Sequence, residues 1–256
     1  MWLYYSMADY SHVFDACEKN YADFKGVCVF DRFRQQPNVK PDMYSFVGTD
    51  DSPPDEQALS IARSINNELV EKYSDFLKTR QVVGYGSYSP MHAHFNLHDS
   101  RHIMMSTVIF SKIPEISRVV EIGGGYGNWL WLNSWRQIDK WTIVDLPHVL
   151  KLQEWYLEKQ GVTSPYRLAE PNEEIEASDL VIGAHSLSEI SLDKFKIYFK
   201  NIILTSKYLF YAYHTFSLDP TILNEKNRII SEHFDMIEEV KSQSGTVSNC
   251  IYKRRV

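Results

Sequence analysis

The chain has 256 residues, a net charge of −6, and a composition that is 44% hydrophobic, 14% aromatic and 23% charged. That length allows one large domain, or one domain with a substantial extension, with enough apolar material to fill a core. The negative balance argues against a nucleic-acid binder that works by phosphate neutralisation, and the single basic end "YKRRV" does not reverse it.

The first residues, "MWLYYSMADYSHVF", lack a basic segment followed by an apolar run, so no signal peptide is expected. No apolar stretch approaches the ~18 residues needed to cross a bilayer. Cys17, Cys28 and Cys250 show no metal-ligand spacing, and so sparse a set fits a reducing, cytoplasmic compartment.

Residues 1–57 are aromatic-rich and loop-punctuated, closing in the Asp/Ser/Pro cluster "GTDDSPPDEQ". A helix is expected from Pro54, with Asp55 and Glu56 in its first turn and Ile61, Ile65, Leu69 and Tyr73 at helical spacing to about Lys78. The loop "VVGYGSYSPMHAHFN" follows, and then a helix capped by Asn96 or Asp99 that runs to Ile113. After Pro114 strands and helices alternate. "RVVEIG", "WTIVDLP", "YRLAE", "DLVIGAHS" and "KYLFYAYHTF" read as strands; "NWLWLNSW", "HVLKLQEWYLEKQG", "SLDKFKIYFKNII" with Ser191 as cap, and "DPTILNEKNRIISEHF" read as helices. The last two strands, in "DMIEEVKS" and "TVSNCIYKRR", are joined by "QSG", too short for a crossover, so they form an antiparallel hairpin. The expected architecture is α/β: a mostly parallel, Rossmann-like sheet ending in a hairpin, over residues 84–256, with a partly helical N-terminal extension or cap over residues 1–83.

Four glycines crowd the five positions from Gly123 to Gly127, directly after the first strand. The dinucleotide fingerprint needs glycine or alanine at its sixth position, which is Asn128 counted from Gly123 and Leu130 counted from Gly125. The phosphate-binding P-loop fails as well, because no Gly-Lys-Ser/Thr follows. Glu121, near the carboxyl end of the same strand, would repel a pyrophosphate but suits an ammonium group. Asp145 ends the second strand, where an acid accepts hydrogen bonds from ribose hydroxyls. A ribose and an amino-acid cation without phosphate describe S-adenosylmethionine. The plainer alternative is that the glycines only make a tight strand–helix turn.

"VVEIGGGYGNW" resembles the E/D-x-G-x-G-x-G motif of class I methyltransferases. Together with "IVDLP", "DLVIGAHSLSEIS" and "YAYHTF" it is similar to the sugar O-methyltransferases of polysaccharide gene clusters, including methyltransferase parts of chlorovirus glycan-building proteins. The resemblance covers roughly residues 84–256. It implies an S-adenosylmethionine-dependent O-methyltransferase acting on a sugar or glycan hydroxyl, for example of a deoxyhexose such as rhamnose. It further implies that Glu121, Gly123, Gly125, Tyr126 and Gly127 surround the methionine end, that Asp145 holds the ribose with Leu146 against the adenine, and that Glu170 to Asn172 is a weaker candidate for the adenine edge. Partners implied are a saccharide acceptor and a larger glycan-synthesis polypeptide or a second copy of the chain. A scaffold of the same fold without catalysis, and less so a nicotinamide-dependent oxidoreductase, are the rival functions.

Candidates for the proton acceptor lie beyond the strand ends. His185 follows "DLVIGA" and His214 ends "YLFYAY". Glu189, four residues after His185, comes within reach of it if "HSLSEI" turns as a helix, and this pair is favoured over His214 as base and orienting carboxylate. The segment "HAHFNLHDSRH" holds His92, His94, His98 and His102. His98 and His102 share a helix face, but no third ligand is fixed by spacing, so a metal is the lesser reading. The favoured one is a lid that brings His94, His98 or Arg101 to the acceptor or to the methionine carboxylate. Tyr85 and Tyr88 suit packing against a sugar face or, equally, a core.

Overall fold

The computed structural model describes residues 52–84, 91–215, 219–242 and 245–255, so the aromatic-rich stretch up to position 51, and Tyr85 and Tyr88, lie outside the described residues. Helix α1 (Glu56–Leu77) opens on Asp55 as its N-cap, whose side chain accepts from the Ala58 N–H at 3.1 Å. The helix breaks at Asn66 (φ −158°, ψ 91°), and Asn66 recaps the second half by accepting from the Leu69 N–H at 3.0 Å. The break resets the phase of the apolar stripe. Ala58, Leu59 and Ala62 are buried before it and Leu69, Val70, Tyr73 and Leu77 after it, whereas Ile65, expected on the buried face, is 38% exposed. In α2 (Leu97–Lys112) Asn96 and Asp99 share the capping: Asn96 accepts from the Asp99 N–H and Asp99 accepts from the Asn96 N–H.

The strands are β1 (Arg118–Ile122), β2 (Lys140–Val144), β3 (Tyr166–Ala169), β4 (Leu180–Ala184), β5 (Tyr208–His214), β6 (Phe234–Lys241) and β7 (Val247–Arg254). Between them lie α3 (Asn128–Asn133), α4 (Pro147–Lys159), the single turn α5 (Ser186–Glu189), α6 (Leu192–Asn201) and α7 (Pro220–His233). The sheet order is β3-β2-β1-β4-β5-β7-β6, parallel except for β7, which is antiparallel to both neighbours. Phe234, expected at the end of the last helix, begins β6 instead, where it pairs with Arg254.

The central strands are short apolar runs because both faces are covered. Val119 of β1 enters the core shared with α1 to α4, while Val120 and Ile122 enter the core shared with α6 and α7. The chain builds outward from β1 to β3 and then returns to β4 beside β1. That reversal opens a crevice at the carboxyl ends of β1 and β4, the usual ligand position in open α/β sheets. Among the described residues no helix is long and apolar enough to cross a membrane.

Candidate functional site

The loop from Gly123 to Gly127 turns β1 into α3. Gly123, Gly125 and Gly127 have φ of 75°, 57° and 90°, where a side chain is strained. At Gly123 a Cβ would stand 2.5 Å from the Cβ of Ser186, and the Ser186 hydroxyl donates to the Ile122 carbonyl. The start of α5 is thereby held against the end of β1.

Two carboxylates flank this loop. Glu121 is 4% exposed, lies between Ile143 of β2 and Ile182 of β4, and accepts from Trp141 Nε1 at 2.9 Å. Burial pushes its pKa up to about 8, against the pull of the Trp141 hydrogen bond and with help from the Asp145 charge. Asp145 is raised to about 6, again by burial, although it accepts from the N–H groups of Leu146 (2.8 Å) and Gly124 (3.0 Å) and from Gln153 Nε2 (2.8 Å). A carboxylate has roughly four acceptor positions. Asp145 therefore anchors the glycine loop and keeps only a remainder for a ligand. Gln153 also donates to the Gly125 carbonyl at 3.0 Å. Two acids beside a glycine cradle, hydrogen-bonded by no cation among the described residues, fit a ligand that brings a cation and hydroxyl donors.

Behind the loop runs a buried polar network. Arg80 forks onto Asp99 (Nη1 to Oδ2 2.6 Å, Nη2 to Oδ1 2.5 Å) and donates from Nη2 to Asn128 Oδ1 at 2.7 Å. Asn128 Nδ2 donates to Asp99 Oδ1 and is 3.0 Å from His102 Nδ1. Tyr73 donates to Asn133 Oδ1 at 2.6 Å and Asn133 Nδ2 donates to Ser106 Oγ at 3.2 Å, so α1, α2 and α3 are bonded together behind the glycine loop.

At the end of β4, His185 has φ 68° and ψ −42°, close to a rare and strained γ-turn conformation, and is the non-glycine residue with positive φ among the described residues. Its ring stacks on that of His214 (centroids 4.3 Å, 17°), and its Nδ1 is buried without a hydrogen-bond partner. Burial first, then the charges of His214 and Arg101, pull the His185 pKa down to about 3; burial and Arg101 lower that of His214. The turn "HSLSE" does form, with the Glu189 N–H on the His185 carbonyl. The charge facing the Glu189 carboxyl is that of Lys226, and burial raises this carboxyl to about 7. Buried Lys226 donates to the carbonyls of Leu187 (3.1 Å), Ser188 (2.8 Å) and Ile190 (2.5 Å), closing the C-terminal end of α5.

The remaining expected residues are distributed as follows. The Tyr126 ring is buried in the core, edge-on to Tyr156 at 4.8 Å. Leu146 is half-buried at the N-cap of α4. Arg101 is half-exposed and pairs through Nε with Asp55 at 3.3 Å. His94 is exposed and His98 half-buried. Glu170 is half-buried and its N–H is taken by Glu173 at 2.6 Å, while Asn172 is exposed. Among the described residues no group of three or more His, Cys, Asp or Glu is placed to hold a metal ion. Arg80, Gln153 and Lys226 were not singled out from the sequence. Gln153 and Lys226 left a signal, a polar residue on the apolar stripe of its helix, beside Leu152 and Tyr156 or Leu223 and Ile230.

No protein-family model and no curated protein matches the chain. Among solved structures it is similar to the N-methyltransferase NodS from Bradyrhizobium japonicum WM9, crystallised with S-adenosyl-L-homocysteine, at 14% identity and TM-score 0.52 over 73% of this chain and 99% of that one. It is similar to Thermoplasma acidophilum 1320 at 11% identity and TM-score 0.52, over 73% and 98%. The methyltransferase domain of bacterial CtHen1 aligns at 12% identity and TM-score 0.51, over 62% and 100%. The fold is the Rossmann-like fold of class I methyltransferases.

Proposed function

We propose that the chain is an S-adenosylmethionine-dependent methyltransferase, acting on a hydroxyl of a sugar or glycan. The observation that carries the cofactor reading is the pair of acids, buried Glu121 and half-buried Asp145, beside a glycine loop at the strand-order reversal. Glu121 would take the ammonium group and the remaining acceptor position of Asp145 a ribose hydroxyl. Leu146 would lie against the adenine, with Glu170 to Asn172 near its edge. When bound, the cofactor supplies an electrophilic methyl group on a sulfonium. The sugar acceptor is supported by the resemblance in "DLVIGAHSLSEIS" and "YAYHTF", which contain the stacked histidines.

His185 is the proposed proton acceptor. It stays neutral at pH 7, and a neutral imidazole keeps one unprotonated nitrogen whose lone pair can take the proton of a hydroxyl. A base so depressed supplies little driving force, so holding the acceptor in line contributes most of the acceleration. The strained turn at His185, fixed by Lys226 and by the Gly123–Ser186 contact, provides that fixed geometry. One observation favours the scaffold alternative: His185 Nδ1 has no hydrogen-bond partner, so the Glu189 carboxylate does not orient the ring through that atom. Mass spectrometry of a saccharide panel incubated with protein and S-adenosylmethionine separates the two. Methylated product that disappears in His185→Asn supports catalysis; tight cofactor binding without product on any saccharide supports the scaffold.

A further inference from the structure

We propose that His102, locked by Asn128 into the tautomer that carries its proton on Nε2, is the donor that recognises the carboxylate of the cofactor's amino-acid end. The inference rests on the S-adenosylmethionine reading and deepens it.

The lock follows from donor and acceptor bookkeeping along the buried network. Arg80 can only donate, so the Asn128 atom facing its Nη2 at 2.7 Å is the amide oxygen, which also accepts from the Tyr156 hydroxyl at 3.2 Å. The amide nitrogen then has two protons to place. One goes to Asp99 Oδ1 at 3.0 Å and the other points at His102 Nδ1, also at 3.0 Å. His102 Nδ1 must therefore be the acceptor, and a neutral ring carries its proton on Nε2. Burial, with the charge of His98 second, draws the His102 pKa down to about 3, so the ring is neutral at pH 7. It is rigid as well: it stacks on Trp129 at 5.3 Å and 6°, and Trp129 is held by Ser106 at 2.7 Å.

The position suits a carboxylate ligand. Asn128 is the residue after Gly127, so its imidazole partner stands at the glycine loop. Glu121 can take an ammonium group but can only repel the carboxylate on the same carbon. That carboxylate needs an N–H donor. Arg80 is buried and turned onto Asp99, and Arg101 is half-exposed and paired with Asp55. His102 Nε2 has no hydrogen-bond partner among the described residues and is not fully buried, on a ring that is itself half-buried. A neutral donor there leaves the zwitterion's charge to be matched by Glu121 alone.

The test is calorimetric titration of the full chain with S-adenosylmethionine and with its decarboxylated analogue. His102→Asn keeps an acceptor for Asn128 but lacks the outer donor, and His102→Gln places an amide N–H where Nε2 stood. The Asn variant is expected to weaken S-adenosylmethionine about ten- to hundredfold, leave the analogue within about threefold, and be largely rescued in the Gln variant. Equal losses for both ligands, no loss for either, or a carboxylate-selective loss found in Arg101→Met in place of the histidine variants would overturn the assignment. Wild-type protein that binds neither compound would overturn the cofactor reading itself, a different result from any of these.

Discussion

Glu121 has unusual surroundings for an acid: a carboxyl group 4% exposed, on a central strand, with one neutral hydrogen-bond donor in Trp141. Its folded pKa, about 8, stands above its ordinary 4.5, so it contributes to stability fully below pH 4.5 and loses that contribution as pH rises through 8. Relative to Glu121→Gln, wild-type protein is therefore expected to lose stability between pH 4.5 and 8, measured by urea denaturation across that range; parallel pH profiles would refute the shifted carboxyl. His185 calls for a different variant. Asparagine tolerates positive φ better than most residues, so His185→Asn spares the turn while removing the imidazole. Turnover is expected to fall about a hundredfold or more with cofactor affinity within about threefold, and near-normal turnover would move the base to His214. The placement of both residues at strand ends was legible beforehand from the strand pattern. Their partners were not. That Glu189 faces Lys226, and that Tyr126 turns into the core, depends on contacts made by α7 and α4 more than twenty residues away.

Among the elements, the short turn α5 is the least self-sufficient. Four residues make a single helical turn that has little stability of its own. Three supports hold it: Lys226 on three carbonyls, the Ser186 hydroxyl on Ile122, and Leu187 packed against Gly183, where a Cβ would come within 2.2 Å. Lys226→Met leaves those carbonyls without their cation and is expected to destabilise the fold by about 2 kcal/mol or more, measured by chemical denaturation. An unchanged midpoint would mean that the carbonyls find other donors. The α/β alternation, the caps at Asn96 and Ser191 and the closing hairpin were readable because each follows from local periodicity or turn length. The break at Asn66 was not, because the apolar spacing through Ile65 and Leu69 continues as if unbroken and only the packed face shows the change of phase. Arg80 was equally hidden, since nothing around "KTRQVV" marks it as a buried ion.

At the scale of the molecule, the helices preceding the sheet serve the site. Arg80, Asp99 and His102 reach the glycine loop through Asn128, so α1 and α2 fix the loop's back wall while Asp145 and Gln153 fix its front. On the proposed reading, the ligand brings a positive charge toward Glu121. Because that carboxyl is mostly protonated at pH 7, accepting such a ligand requires it to ionise. The decisive measurement is calorimetric titration with S-adenosylmethionine at pH 7 in buffers of different ionisation enthalpy, for wild-type protein and Glu121→Gln. Binding is expected to release close to one proton in the wild type and almost none in the variant, with the variant's affinity about ten- to hundredfold lower. Binding with no proton released, or with the same affinity and proton count in both proteins, would contradict the account.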